Sequence, residues 1–169
     1  MDNGSRNYEV AGYRLPSVTT ILGRTKDDTF LKDWIKKKGK KEAERIKTAS
    51  AVRGTSMHKY LENYVLGKGY EDLTELGQET KRMAEKVIEV GLAPVSGYFG
   101  SEVTIYYPGL YAGSTDLVGI HNDKETIIDF KQANRPKKEE WIGDYKLQAG
   151  AYAMACLLYT SDAADDPTC

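Results

Sequence analysis

The chain has 169 residues, enough for one domain with a real core and too few for two comfortable ones. Only two cysteines occur, Cys156 and Cys169, which excludes a disulfide framework, a zinc ribbon and a four-cysteine iron–sulfur cluster. The formal net charge of −1 says little about partners, because the charge is unevenly spread: Arg24 to Lys59 holds twelve Lys or Arg against five Asp or Glu.

Residues 1–16 read as an irregular lead-in without an apolar signal core. "SVTTILGRT" predicts a short helix with Ser17 as N-cap and Gly23 near its end. A basic helix follows over about Thr29 to Lys38, with Phe30, Leu31, Trp34 and Ile35 on its apolar side, and Gly39 breaks it. "KKEAERIKTASAV" resumes the helical pattern; Gly54 is expected to interrupt it, and Thr55 to recap a helix ending at Gly67. "EDLTELGQETKRMAEKVIEVG" carries Leu73, Leu76, Met83 and Val87 on one stripe and closes at Gly91.

The period then changes from 3.6 to 2. "SEVTIYY", "LYAGSTDLVGI" and "ETIIDFK" read as three strands, joined at Pro108–Gly109 and at "HNDK", and links this short predict an antiparallel meander. A last helix is expected over about Lys137 to Ala155. The fold class is α/β in an α+β arrangement: a helical N-terminal half, a three-stranded meander and a C-terminal helix, all in one domain over 1–155. No stretch approaches the ~18 apolar residues of a membrane span, so the expectation is a soluble, cytoplasmic protein.

In "TIIDFKQ", Asp129 and Lys131 share a strand face with Ile127, while Asp116 shares one with Ala112, Ser114 and Val118. If the two faces coincide, two carboxylates and an ammonium converge. A lone Asp-x-Lys is most simply a solvated ion pair. Two carboxylates brought together repel, and a divalent cation removes that penalty; hard oxygen ligands without cysteine suit Mg²⁺ or Mn²⁺.

Asp116-x(12)-Asp129-x-Lys131 after a helical half resembles the PD-(D/E)XK nuclease core. Gly54-Thr-Ser-Met-His58 upstream and Gln148-Ala-Gly-Ala-Tyr152 downstream are similar to the motifs of its RecB-like exonucleases. "LPSVTTIL" and "RGTSMHKYLENY" look most like phage relatives of the mitochondrial genome maintenance exonuclease, a likeness covering roughly residues 7–155. The resemblance implies a Mg²⁺-dependent deoxyribonuclease acting on single-stranded DNA ends in replication, recombination or repair, in a phage-infected bacterial cell. It implies catalysis by Asp116, Asp129 and Lys131, and a metal held by His58, Asp116, Asp129 and the Phe130 backbone carbonyl. Lys131 would position or deprotonate the attacking water. Gln148, Tyr152, Arg53 and Trp34 are the expected nucleic-acid contacts, with Tyr60 also available for stacking. Glu102, one strand earlier, fits a further acidic position, and Glu62, one turn beyond His58, is its natural helix partner.

Plainer readings stand beside these. Gln148 and Tyr152 share a helix face with Trp141 and Tyr145 and suit a core; Glu102 suits an edge strand; Arg53 suits solvent. Two other functions remain open: a nuclease subunit of a helicase–nuclease complex, whose partner would supply the helicase because no G-x-x-x-x-G-K-[ST] occurs here, and a non-catalytic single-strand-binding module. Finally, "CLLYTSDAAD" from Cys156 resembles one reading frame of a sequencing-library adapter. Residues 156–169 are therefore expected to be read-through on a truncated gene, extending the helix by a turn and becoming exposed and mobile beyond Ser161.

Overall fold

The computed structural model describes the backbone of residues 6–164 and the side chains of 6–158. Two short strands open it, β1 (Asn7–Val10) and β2 (Tyr13–Pro16), paired antiparallel from Asn7↔Pro16 to Val10↔Tyr13. The expected irregular lead-in is thus a hairpin. Its two-residue turn, Ala11 and Gly12, has φ of 49° and 78°, the left-handed pair that suits the twist of a tight hairpin.

Helix α1 (Val18–Thr25) starts where Ser17, extended at φ −70° and ψ 147°, accepts the Thr20 N–H on its hydroxyl at 3.0 Å. Helix α2 (Thr29–Lys38) has the expected limits, and Gly39 at φ 82° separates it from α3 (Lys40–Val65). The break expected at Gly54 does not occur. A glycine inside a helix costs about 1 kcal/mol, and α3 spans it because Ala43 before it and Met57, Tyr60 and Leu61 after it are all buried.

Helix α4 (Glu75–Lys86) begins at Thr74, whose hydroxyl accepts the Gly77 N–H at 3.0 Å, and continues as a π-helical turn, Val87–Gly91. Its fully buried residues are Gly77, Thr80 and Ala84; of the expected stripe, Met83 and Val87 pack against the core, while Leu73 lies before the helix, exposed. Small residues let α4 approach α3 closely enough for Thr80 to hydrogen-bond Ser56 at 2.8 Å.

The sheet is an antiparallel meander in the order β3 (Val95–Tyr107), β4 (Tyr111–His121), β5 (Lys124–Ile128). Asn122 and Asp123, both at positive φ, form the β4–β5 turn. β3 begins six residues before the expected strand, with register shifts between Val95 and Gly97 and between Tyr98 and Gly100 that hide its alternation from a sequence reading. β5 stops before Asp129. Beyond Ile128 side chains take over the backbone groups: the Thr115 hydroxyl donates to the Ile128 carbonyl at 3.2 Å, and the Phe130 N–H donates to Asp116 Oδ2 at 2.5 Å.

A 3₁₀ turn (Glu139–Trp141) precedes the last helix, α5 (Gly143–Ala164), which starts later and ends later than expected. α5 continues through 161–164, beyond the single extra turn expected after Ala155; residues 165–169 lie outside the described residues. The core has two clusters. Met57, Tyr60, Leu61, Ala84, Leu92, Leu117 and Phe130 join α3 and α4 to the sheet. Val18, Ile105, Tyr152 and Ala155 join α1 and α5 to it. The architecture is α+β, five helices with a three-stranded antiparallel sheet and a separate hairpin among the described residues, and no helix among them is long and apolar enough to cross a membrane.

Candidate functional site

Asp116 lies in the middle of β4, nearly buried, and both carboxylate oxygens are engaged. Oδ2 accepts the Phe130 N–H; Oδ1 lies 3.2 Å from Nδ1 of His58, which projects from α3 one turn beyond Gly54. The edge of the His58 ring rests against Phe130, with centroids 6.2 Å apart. The hydrogen bond that Nδ1 donates to Asp116 raises the imidazole's proton affinity above its ordinary value, against the opposing effect of burial.

Glu102 joins them from β3. It stands between Ser101, paired with Leu117, and Val103, paired with Thr115, which sets it across from Asp116. Its backbone is left-handed, at φ 53°, a conformation that costs a non-glycine residue on the order of 1 kcal/mol. The Ser114 hydroxyl donates to its Oε2 at 3.0 Å. One donor atom from each of His58, Glu102 and Asp116 lies within 4.8 Å of the others.

Asp129 follows the β4–β5 register one step past Leu117↔Ile128, and so comes beside Asp116, as the strand parity requires. Its carboxylate is turned toward α5 and the chain that follows it: Oδ1 accepts from Gln148 Nε2 at 3.2 Å, and Oδ2 is paired with Lys131 Nζ. Burial pushes the Asp129 carboxyl above the usual carboxylate range, Lys131 pulls it down, and Asp116 pushes it up again. Lys131 also lies over the Tyr145 ring, 5.6 Å from its centroid. The site therefore has two adjoining parts, His58–Glu102–Asp116 and Asp129–Lys131–Gln148.

Gln148 and Tyr152 are buried, 6% and 3% exposed, so neither offers a surface to a nucleic acid. The Gln148 amide donates to Asp129 and, at 3.0 Å, to the Tyr152 hydroxyl, which burial pushes up to about 12. The partner expected from nucleic acid is supplied by the protein. Tyr60 is likewise removed from any stacking role: it is buried against Tyr70, and its hydroxyl accepts the Asp72 N–H at 3.0 Å. Arg53 donates to Asn134 Oδ1 at 3.1 Å and lies 3.4 Å from Glu79, tying α3 to the segment after Lys131. Trp34 is half-buried on α2. Glu62 pairs with Lys59 at 3.8 Å and borders the same hollow as His58 and Glu102.

Two residues at the start of the hairpin, Arg6 just before β1 and Tyr8 within it, are not singled out by the sequence. Arg6 borders that hollow, and the Tyr8 hydroxyl is held above its ordinary value by burial, with Arg6 pulling it down and Glu102 pushing it up. The alternation of "NYEV" and "YRLP" about Ala11-Gly12 is the hairpin signal that places them. No protein-family model matches the chain, and no curated protein matches it.

Proposed function

We propose that the chain is a divalent-metal-dependent deoxyribonuclease with a PD-(D/E)XK-like core, acting on single-stranded DNA ends. The observation that supports this reading is the meeting of a helix-borne imidazole with carboxylates from two adjacent strands, His58 with Glu102 and Asp116, next to the Asp129–Lys131 pair. Three oxygen-or-nitrogen donors without a thiolate suit Mg²⁺ or Mn²⁺. Asp116 is nearly buried, and burial together with the Asp116 charge pushes the Asp129 carboxyl above the usual range, a repulsion between carboxylates that a cation would relieve.

His58, Asp116, Asp129 and the Phe130 carbonyl are the proposed ligands, with Glu102 as a further oxygen donor. A cation bound there supplies Lewis acidity, lowering the pKa of a water and offsetting charge on the phosphate. The protein's own part is positional. Phe130 N–H fixes one Asp116 oxygen, and Gln148 fixes one Asp129 oxygen, so both carboxylates are oriented before substrate arrives. Lys131 stands with its ammonium beside Asp129, where it holds the attacking water by donating to its oxygen and offsets negative charge on the phosphate.

The test is digestion of end-labelled single- and double-stranded DNA with Mg²⁺, with EDTA, and with Asp116→Asn. Mg²⁺-dependent shortening from the ends of single strands, absent in the variant, is the expected result. Binding without any Mg²⁺-dependent product would instead establish a non-catalytic single-strand-binding module.

A further inference from the structure

We propose that the chain just before the N-terminal hairpin supplies a phosphate-binding subsite beside the carboxylates, with the Arg6 guanidinium as its main cation and Lys59 as its second. The inference rests on the nuclease reading and names the part of the substrate held next to the reacting phosphate.

Arg6, Thr55, Lys59 and Glu62 border a hollow of about 400 Å³ that also contains His58 and Glu102. Two of the proposed ligands, His58 and Glu102, and an arginine thus face one space from different elements. The position of Arg6 is fixed by its backbone rather than left to a loose terminus. Its N–H donates to Thr20 Oγ1 at 3.0 Å and its carbonyl accepts the Ser17 N–H at 2.9 Å. Ser17 caps α1 and bridges to Ala112 in β4, the strand that carries Asp116. The Arg6 backbone is therefore referenced to the same strand as the site.

The guanidinium has no carboxylate within ion-pair distance among the described residues. It lies over the Tyr8 ring, 4.9 Å from the centroid. Stacking holds a planar cation by its face and leaves its N–H edges free to donate, and that edge matches two oxygens of a phosphate. Lys59, across the hollow, is paired with Glu62 only at 3.8 Å and is half-exposed, so its ammonium is available to the same anion. A strand approaching several carboxylates is repelled by them, and an unpaired cation at the rim of that cluster offsets the repulsion where the next phosphate must pass.

The test measures binding rather than turnover. A fluorescein-labelled single-stranded oligonucleotide is titrated in EDTA against wild type, Arg6→Gln and Arg6→Lys over a range of salt concentrations, with thermal melts to verify that each variant folds. One lost phosphate contact on a single strand lowers the slope of log K against log salt by about 0.7. Arg6→Gln is expected to show that drop and about a threefold or larger loss of affinity at low salt, while Arg6→Lys keeps the slope. Equal losses on oligonucleotides with phosphorylated and hydroxyl ends assign the contact to the backbone; a loss confined to phosphorylated ends assigns it to a terminal phosphate. An unchanged slope in Arg6→Gln, with wild type cleaving DNA in Mg²⁺, overturns the subsite alone. A wild type that neither binds nor cleaves overturns the nuclease reading and the subsite with it.

Discussion

Replacing Gly113 by alanine should destabilise the fold, although alanine is ordinarily the better residue in regular structure. A Cβ on Gly113 would sit 2.4 Å from Cε1 of Tyr152 and 2.8 Å from both its Cζ and its hydroxyl. Carbon atoms in contact are about 3.5–4.0 Å apart, so the ring must retreat by roughly 1 Å. It has little room, being 3% exposed and packed with Val18, Ile105 and Ala155. Overpacking costs about 1–3 kcal/mol, and a ring with so little room puts the cost in the upper part, about 2–3 kcal/mol, of which the stiffer unfolded chain offsets about 1 kcal/mol. The net loss is about 1–2 kcal/mol, which in a domain of this size lowers Tm by roughly 2–8 °C. Urea and thermal unfolding of Gly113→Ala, Tyr152→Leu and the double variant measure it. In the Tyr152→Leu background, where the ring is gone, Gly113→Ala should be neutral or stabilising. An alanine cost that is the same in both backgrounds, or no cost at all, would show that the ring is not what requires a glycine.

Lys131→Ala should abolish Mg²⁺-dependent cleavage while leaving single-strand affinity nearly intact, because the cations of the N-terminal helices remain; gel shifts beside cleavage assays across salt would refute this if both activities fell together. In metal-free protein, His58 should titrate above the ordinary imidazole value of about 6.5, because the imidazolium pairs with Asp116. Its contribution to stability is then complete below about pH 6.5 and is lost as pH rises through the folded-state value. Urea midpoints from about pH 5.5 to 8.5 should decline accordingly, and the decline should vanish in His58→Gln. Raised proton affinity at Asp129 acts with the same sign but begins near about pH 4, the ordinary carboxyl value.

The elements that a sequence reading places well are those in which local chemistry and tertiary packing agree. Ser17 caps α1, Gly39 separates two helices, and the parity of β4 and β5 brings Asp116 beside Asp129. The misplaced ones are those in which packing overrides a local signal. Gly54 is carried through by the buried residues on either side of it, and α4 buries small residues that no hydrophobic stripe would select. Gln148 marks the same limit at the site. Its presence near Asp129 is legible from the motif, but its burial depends on how close α5 comes to β4, which the spacing alone does not report. Arg6 was hidden by the turn Ala11-Gly12, where alanine at positive φ is an uncommon signal.

The irregular backbone of β3 bears on solubility as well. β3 is an edge strand of thirteen residues, far longer than β5 at the other edge, and it exposes Tyr98 and Phe99 at 41% and 60%. A flat edge of that length is a template on which another chain's strand can add, the first step toward aggregation. Two register shifts and the left-handed Glu102 interrupt its row of outward N–H and carbonyl groups. Straightening the strand to remove the strain at Glu102 would move a carboxylate away from Asp116 and at the same time restore a continuous edge for an incoming strand.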